Sequence, residues 1–171
     1  QALDGLHGTV AEERLERLTR AGGVVAHAAR RTVELIASMG TFSRAGEQVS
    51  KPTDLNRAIA ATWLLLQHRV DAAKTVVESI AGVVPEVNVV PGEVSQVLMN
   101  LLANALEAVA AQGDRGLVRV VTEAGADAVI VVVEDNGPGV STELWPRIFE
   151  PFFTTKDSGT GLGLSISHEL V

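Results

Sequence analysis

Two apolar segments in the second half of the chain, residues 117–123 and 128–134, place the strongest constraint on its fold. Both contain many β-branched residues, and the short connection around Gly125 that joins them is typical of a β-hairpin. Further strand-like segments cover residues 75–80 and 87–90, and helical segments precede and separate the strands. The order lacks the strand–helix–strand regularity of a parallel sheet. It predicts an α+β fold, a two-layer α/β sandwich in which helices cover one face of a mixed sheet.

Helices are predicted at four places around these strands. The first begins after Asp54, a suitable N-cap, and should direct Ile59, Trp63 and Leu64 inward. The other three are expected over residues 93–111, over residues 142–149 and from about residue 162 onwards. The buried stripe of the helix over residues 93–111 is predicted to comprise Val97, Leu98, Leu101, Ala105 and Ala108.

A long helix is predicted before these elements, over residues 11–44. Its apolar side recurs every seven residues, at Leu15, Gly22, Ala29 and Ile36 and again at Leu18, Val25, Thr32 and Met39. A helix with one apolar stripe needs a partner, and the regular spacing favours a homodimer; a packing helix within a monomer is the alternative. The polar stretch 46–52 ends in proline and indicates a linker.

Composition excludes several classes of function. The chain carries 14 Lys and Arg against 21 Asp and Glu, so it lacks the cationic surface that nucleic-acid-binding proteins use. It has no cysteine for disulfides or thiolate chemistry, and its four histidines argue against a zinc site. The longest apolar run, residues 128–133, is too short to span a bilayer, and the N-terminus lacks the features of a signal peptide. A soluble intracellular module is therefore expected.

The first candidate motif lies on the helix over residues 93–111. Asn100, Asn104 and Glu107 are spaced so that they share one helix face. Amide and carboxylate oxygens beside an apolar stripe suit a hard cation such as Mg²⁺, which takes oxygen ligands and keeps some waters. An ordinary solvated polar face is the alternative.

The second motif follows the strand over residues 128–134, where Asp135 precedes a turn that contains Gly137 and Gly139. A carboxylate at the end of a strand can accept a hydrogen bond from the amino group of a ligand. The glycines allow the backbone to approach a flat ring closely. A simple Asp-Asn-Gly-Pro turn without a ligand explains the same residues equally well.

The third motif is a glycine-rich loop in front of the last helix. Gly159, Gly161 and Gly163 alternate there, and their amides together with the helix N-terminus form a cradle for anions. Lys156 and Thr160 can add a cation and a hydroxyl. The spacing matches neither the Walker pattern nor the dinucleotide-binding pattern, and a glycine loop without a ligand is the alternative.

In this order the three motifs resemble the N-box and the two glycine boxes of the histidine-kinase ATP-binding domain, and residues 149–156 resemble its F-box. That domain belongs to the Bergerat-fold (GHKL) superfamily of gyrase, heat-shock chaperone, histidine kinase and mismatch-repair ATPases. The F-box is the part most typical of sensor kinases, and the match covers about residues 54–171. Residues 28–44 resemble the second helix of the dimerisation and phosphotransfer hairpin. The resemblance assigns residues 1–50 to that hairpin region and residues 51–171 to a C-terminally incomplete catalytic domain.

The resemblance implies ATP and Mg²⁺ as cofactors and a role for each motif. Asn104 would bind Mg²⁺ through its amide oxygen with Asn100 as helper, and Asp135 would accept a hydrogen bond from the adenine amino group. The other implied nucleotide contacts are Gly137 and Gly139 at the adenine and Gly159, Thr160, Gly161, Leu162 and Gly163 over the phosphates. Catalysis is assigned to the two asparagines and Lys156.

The function implied is transfer of the γ-phosphoryl group of ATP to a histidine and then to an aspartate on the receiver domain of a response regulator. The protein would be a cytoplasmic homodimer joined through the N-terminal helix, with membrane anchoring of the intact protein left open. Phe152 and Phe153 are expected to be hydrophobic latches between the phosphate-covering loop and the domain body. The alternatives are a nucleotide-binding scaffold without phosphotransfer and a gyrase- or mismatch-repair-like ATPase. Asn100 argues against the latter, because those enzymes usually place a glutamate there.

Three features depart from the family pattern. None of the four histidines has the expected acceptor context, so the phosphoacceptor is expected before Gln1; the four are His7, His27, His68 and His168. The family domain continues with two more strands beyond Val171, which predicts either an unpaired sheet edge or completion by another chain. Glu107 stands where many relatives place a lysine or arginine that touches phosphate, so Lys156 or an arginine from elsewhere is predicted to supply that charge.

Overall fold

The computed structural model describes Gly22, residues 49–156 and residues 159–171. The chain divides into two compact units, Gln1–Arg44 with Thr155–Thr160, and Ala45–Thr154 with Gly161–Val171. The second unit contains all the strands and helices given below. The heptad pattern over residues 11–44 and the predicted dimer contact lie, apart from Gly22, outside the described residues.

The described part of the second unit contains five strands, three α-helices and a short 3₁₀ helix. In chain order they are β1 (Lys51–Thr53), α1 (Leu55–Ala73), β2 (Val76–Ile80), β3 (Val87–Val89), α2 (Pro91–Val109), the 3₁₀ helix (Ala110–Arg115), β4 (Leu117–Ala124), β5 (Val129–Asp135) and α3 (Gly163–Leu170). Most predicted strands and helices are present with ends shifted by a few residues.

The described residues form two sheets, and the larger one is mixed. Its strand order is β2-β4-β5, with β2 parallel to β4 and β4 antiparallel to β5. The predicted hairpin is the β4–β5 pair, in which Ala124 lies opposite Val129. The smaller sheet pairs β1 with β3 in antiparallel register. A mixed sheet covered by helices agrees with the predicted two-layer α/β sandwich.

The core lies between α1, α2 and one face of the mixed sheet. Val118 and Val120 of β4 contact the helices because alternate strand residues point to the same face. The core cluster comprises Ile59, Leu66, Leu98, Leu102, Ala105, Leu106, Val109, Val118 and Val120.

The sequence located the buried faces of the helices only in part. In α1, Ile59 is buried as predicted, but Leu64 is 76% exposed and the prediction for it was wrong. The buried line of α1 runs through Leu55, Ile59, Thr62 and Leu66. In α2, Leu98 and Ala105 are buried as predicted, whereas the other buried residues are Leu102, Leu106 and Val109. Val97, Leu101 and Ala108 are only partly buried.

The helix predicted over residues 142–149 is absent; successive turns occupy these positions. Leu144 donates its amide to the carbonyl of Ser141 over 2.9 Å, and Arg147 donates to Leu144 over 2.8 Å. Pro146 explains the difference, since a proline has no N–H and its ring clashes with the preceding helical turn.

A charged row crosses the outer face of the mixed sheet. Arg119 of β4 lies between Glu78 on β2 and Glu134 on β5, with N–O distances of 2.7 Å and 3.7 Å. The hydrogen bond to Glu78, followed by the charge of Glu78, raises the pKa of the Arg119 guanidinium above its ordinary value. The row therefore connects all three strands of the sheet through one side chain.

A polar network connects α1 to the far end of the same sheet. The hydroxyl of Thr122, buried within β4, donates to Asn56 Oδ1 over 2.7 Å and accepts from the amide of Gly82 over 2.9 Å. Asn56 Nδ2 in turn donates to the carbonyl of Gly82 over 3.0 Å. The network fixes the segment after β2 against both layers. Among the described residues, no helix combines the length and apolar character needed to cross a membrane.

Candidate functional site

The candidate site is built on the polar face of α2, which carries Asn100, Asn104 and Glu107. Apolar side chains on the opposite face of α2 fix the helix against the sheet, so this polar face points away from the core. Glu107 forms an ion pair of 2.7 Å with Arg69 of α1, and both side chains are about half exposed, at 42% and 48%. Arg69 of α1 therefore places a cation beside residue 107, where this chain has a glutamate in place of the lysine or arginine expected from the resemblance.

The turn after β5 packs directly on α2. Asp135 is the last residue of β5, and its Oδ1 accepts a hydrogen bond from the amide of Gly137 over 2.9 Å. A Cβ atom added at Gly137 would lie 2.8 Å from the Cβ of Ala108 and 3.0 Å from its carbonyl oxygen. Only glycine therefore fits between the Asp135 carboxylate and the helix. The hydrogen bond orients one carboxylate oxygen, and Gly139, with φ of 71°, continues the turn.

Asn136 holds this turn to the sheet, a role that the sequence did not reveal. Its Oδ1 accepts from the amide of Leu117 over 2.8 Å, and its Nδ2 donates to the carbonyl of Arg115 over 2.7 Å. The side chain thereby replaces a backbone partner at the start of β4 and extends the β4–β5 pairing by one residue. The only sequence signal was the general preference of asparagine for turns.

Gly161 packs against the backbone of the F-box segment. Its φ is 69°, and an added Cβ would lie 2.3 Å from the carbonyl carbon of Phe152 and 2.6 Å from the carbonyl oxygen of Phe153. Phe152 itself has a φ of 67°, which is rare for an aromatic residue, and its side chain is 70% exposed. Arg147 stacks over the ring of Phe153 at 4.3 Å. The latch role predicted for the two phenylalanines stays a prediction.

The first turn of α3 packs on Asn100. The Nδ2 atom of Asn100 donates to the carbonyl of Gly163 over 3.0 Å and to the hydroxyl of Ser167 over 3.3 Å. The same hydroxyl donates to the Gly163 carbonyl over 2.9 Å. Sequence reasoning did not identify Ser167, because its contact with Asn100 joins residues 67 positions apart. Leu162 directly precedes this helix and accepts from the amide of Ile166.

These contacts place the two ends of the site along one helix. The turn after Asp135 lies at Ala108, the first residue of α3 lies at Asn100, and Asn104 stands midway between them. Eight helical residues correspond to about 12 Å along the axis. The fold thus brings Asp135, Gly137 and Gly163 to α2, beside Asn100 and Asn104. Lys156, Gly159 and Thr160 belong to the other compact unit, where the Gly159 amide donates to the Lys156 carbonyl over 3.1 Å.

The donor set on α2 fits a magnesium ion that is bound together with phosphates. Two carboxamides offer neutral oxygen ligands, and the described residues contain no cluster of three or more His, Cys, Asp or Glu side chains. Mg²⁺ commonly takes one or two protein oxygens and obtains its other ligands from phosphate and water. A site with a few amide oxygens suits that mode of binding better than that of a permanently held metal.

Comparisons with known proteins identify the family of the chain. The family model described as "Histidine kinase-, DNA gyrase B-, and HSP90-like ATPase" matches residues 90–171. The catalytic domain of the histidine kinase ThkA superposes with a TM-score of 0.64 at 32% identity, covering 71% of this chain and 78% of that domain. The chain therefore belongs to the ATPase superfamily of histidine kinases, gyrase B and HSP90, within its histidine kinase family.

Similar proteins extend well beyond the matched region. The signal transduction histidine-protein kinase AtoS of Escherichia coli (strain K12) is 34% identical over 140 residues, which is 81% of this chain but 22% of AtoS. The structure of ThkA in complex with the response regulator protein TrrA superposes with a TM-score of 0.67 at 26% identity, over 86% of this chain and 42% of the matched chain. The chain thus spans less than a quarter of the length of AtoS.

Proposed function

We propose that this chain is the ATP-binding and phosphoryl-transferring part of a sensor histidine kinase in a two-component system. It binds Mg²⁺-ATP along the polar face of α2 and provides the γ-phosphoryl group to a histidine, from which a response regulator aspartate receives it. The supporting observation is the arrangement of three groups along α2, with the Asp135 turn at Ala108, Asn104 in the middle and α3 at Asn100.

The adenine end of the proposed site is at Asp135. Its Oδ1 is oriented by the Gly137 amide, so the carboxylate is held as an acceptor for the exocyclic amino group of adenine. Because Gly137 has no side chain, nothing projects from that position between the carboxylate and α2. A fixed carboxylate that meets an N–H donor gives a charge-assisted hydrogen bond, which is stronger than a neutral one.

The phosphate end is at Asn104 and Asn100, beside the first turn of α3. Their amide oxygens would hold Mg²⁺, which when bound neutralises charge on the phosphates. The sequence predicts in addition that the backbone amides of residues 159–163 and the Lys156 ammonium contact the phosphates. A neutral imidazole nitrogen of the acceptor histidine attacks the γ-phosphorus, and ADP departs. Such a transfer depends on positioning and charge neutralisation, which this arrangement supplies.

Nucleotide binding is tested with Asp135→Asn. Replacement of the carboxylate by an amide should weaken ATP binding by about 1–3 kcal/mol, measured by calorimetry with and without Mg²⁺. The same variant should weaken the binding of adenosine equally, since the lost contact is to the base. Unchanged affinity for both ligands in a folded variant would refute the assignment of Asp135.

Phosphoryl transfer is tested with γ-labelled ATP and an intact dimerisation hairpin supplied as acceptor. Label on the hairpin supports the kinase and rules out a pure nucleotide-binding scaffold. Rapid release of labelled phosphate without labelling of the hairpin would instead identify an ATPase of the gyrase type. A response regulator receiver domain added afterwards should remove the label from the hairpin.

A further inference from the structure

We propose that Ser167, together with the Gly163 carbonyl, sets the orientation of the Asn100 carboxamide and is thereby a positioning residue for the magnesium ion that accompanies ATP. The inference rests on the proposed function, because it assumes that Asn100 contributes an amide oxygen to that ion. It adds a residue of α3 that makes no predicted contact with nucleotide or metal.

The orientation of the carboxamide follows from the chemistry of its partners. A backbone carbonyl oxygen accepts hydrogen bonds and donates none, so the atom of Asn100 that lies 3.0 Å from the Gly163 oxygen must be the nitrogen. The Ser167 hydroxyl donates its own proton to the same carbonyl, so towards Asn100 it acts as an acceptor. Two acceptors therefore hold the nitrogen, and the oxygen occupies the other arm of the planar group.

Burial makes this orientation persistent. Ser167 is 6% exposed, and its hydroxyl sits between α2 and the first turn of α3, where water cannot easily replace it. A flipped carboxamide would place its oxygen against the Gly163 carbonyl oxygen and leave two partly buried acceptors facing each other, which is costly. A metal ligand whose rotation is restrained in this way is ready to bind before the ion arrives.

The arrangement also links the metal site to the glycine-rich segment. Gly163 begins α3 and follows Gly161, whose backbone packs on Phe152. Any movement of the first turn of α3 must therefore carry the acceptors of Asn100 with it. Ser167 connects a movement of α3 to the orientation of Asn100, because its hydroxyl bonds both Asn100 on α2 and Gly163 on α3.

Ser167→Ala in the full chain tests the proposal, with Ser165→Ala as the matched control. The Ser165 hydroxyl lies on the same helix but donates to the Leu162 carbonyl over 2.9 Å, so its loss does not involve Asn100. Alanine favours the helical state, so both variants are expected to fold. Ser167→Thr retains a hydroxyl that can bond the carbonyl four residues earlier, and it should recover the wild-type behaviour.

The first measurement needs neither nucleotide nor activity. In ¹⁵N-labelled protein, the side-chain amide signals of Asn100 should shift and exchange faster with water in Ser167→Ala than in Ser165→Ala. Unchanged Asn100 signals in Ser167→Ala would overturn the positioning role. This result is independent of whether the chain binds ATP, so it separates the failure of this inference from the failure of the proposed function.

The second measurement is the gain in ATP affinity that Mg²⁺ produces. Ser167→Ala should leave the affinity measured in EDTA unchanged and reduce the gain with Mg²⁺ by about 2- to 10-fold, the effect of one neutral hydrogen bond. Ser165→Ala should retain the full gain. An equal loss in both variants, or shifted Asn100 signals with an unchanged magnesium gain, would overturn the link to the metal. If the wild-type chain shows no magnesium gain while it binds ATP, the metal role of Asn100 fails and this inference fails with it.

Discussion

Replacement of Gly137 by alanine tests how closely the turn after β5 packs on α2. An added Cβ would lie 2.7 Å from Asp135 Oδ1, 2.8 Å from the Cβ of Ala108 and 3.0 Å from the Ala108 carbonyl oxygen. Real Cβ atoms do not approach so closely, so the turn must move away from the helix. Overpacking of this kind costs about 1–3 kcal/mol of unfolding free energy. Because movement of the turn displaces Asp135, ATP binding should weaken as well.

A second substitution identifies the origin of that cost. Ala108→Gly removes the Cβ that Gly137→Ala would meet, although a glycine within a helix itself costs about 1 kcal/mol. The double variant should therefore be more stable than the sum of the single effects predicts, by about 0.5–2 kcal/mol. Gly92→Ala is the control, since its added Cβ meets no atom within 4 Å. In the first turn of α2 it should stabilise the protein by up to about 1 kcal/mol.

Urea denaturation of the four variants and the wild type provides the measurement. A change in the urea midpoint at a constant m-value reports a change in stability. Calorimetry with ATP reports whether the displacement of Asp135 weakens binding. If Gly137→Ala is as stable as the wild type, the proposed packing of the turn on α2 is wrong. If its effect simply adds to that of Ala108→Gly, the Cβ of Ala108 is not the origin of the cost.

Two further substitutions test the core and the polar network by the same denaturation assay. Leu102 is completely buried, so Leu102→Ala should lower the unfolding free energy by about 2–5 kcal/mol. Leu64→Ala, on the exposed side of α1, should stay within about 0.5 kcal/mol of the wild type. Similar losses from both variants would contradict the assignment of the core face. Thr122→Val preserves shape but leaves the Gly82 amide and Asn56 Oδ1 without their hydroxyl partner, which should cost about 1–3 kcal/mol. Thr53→Val, which removes an exposed hydroxyl bonded to the Lys51 carbonyl, is its control and should have little effect.

Four of the five described strands and most helices were predictable because their signals are local, whereas β1 (Lys51–Thr53) overlaps the stretch 46–52 that was predicted to be a linker. Asp54 caps α1 as expected, and its side chain accepts from the amide of Arg57. The error at Leu64 arose because the buried line of α1 includes Thr62, a polar residue whose hydroxyl is satisfied by the Ala58 carbonyl. Hydrophobicity alone therefore pointed to the wrong side of the helix.

The buried face of α2 was harder to predict for a different reason. Apolar residues occur on several sides of this helix, and some of them, such as Val97 and Leu101, are only partly buried. Helical periodicity cannot distinguish these two apolar faces without knowledge of where the sheet lies. Leu102 and Val109, which are completely buried, were missed in this way.

The motifs of the candidate site were recognisable in the sequence, but the contacts that hold them were not. Asp135 and Gly137 belong to a compact turn that was singled out only because the three motifs together resemble a known family. Ala108 and Ser167 are an alanine and a serine of ordinary helices, and their importance appears only when distant segments meet. Sequence reasoning identifies candidate catalytic and ligand-binding groups more readily than the neighbouring residues that orient them.

The charged row on the outer sheet face also restricts how the three strands can align during folding. A shift of one residue along β4 would turn Arg119 towards the apolar core. A shift of two residues would keep it outside but place it opposite Val76 or Ile80 on one side and Val132 or Asn136 on the other, in place of its two glutamates. In a misaligned sheet Arg119 therefore loses both of its glutamate partners at once. This loss disfavours strand alignments close to the native one, which the many similar valines would otherwise allow.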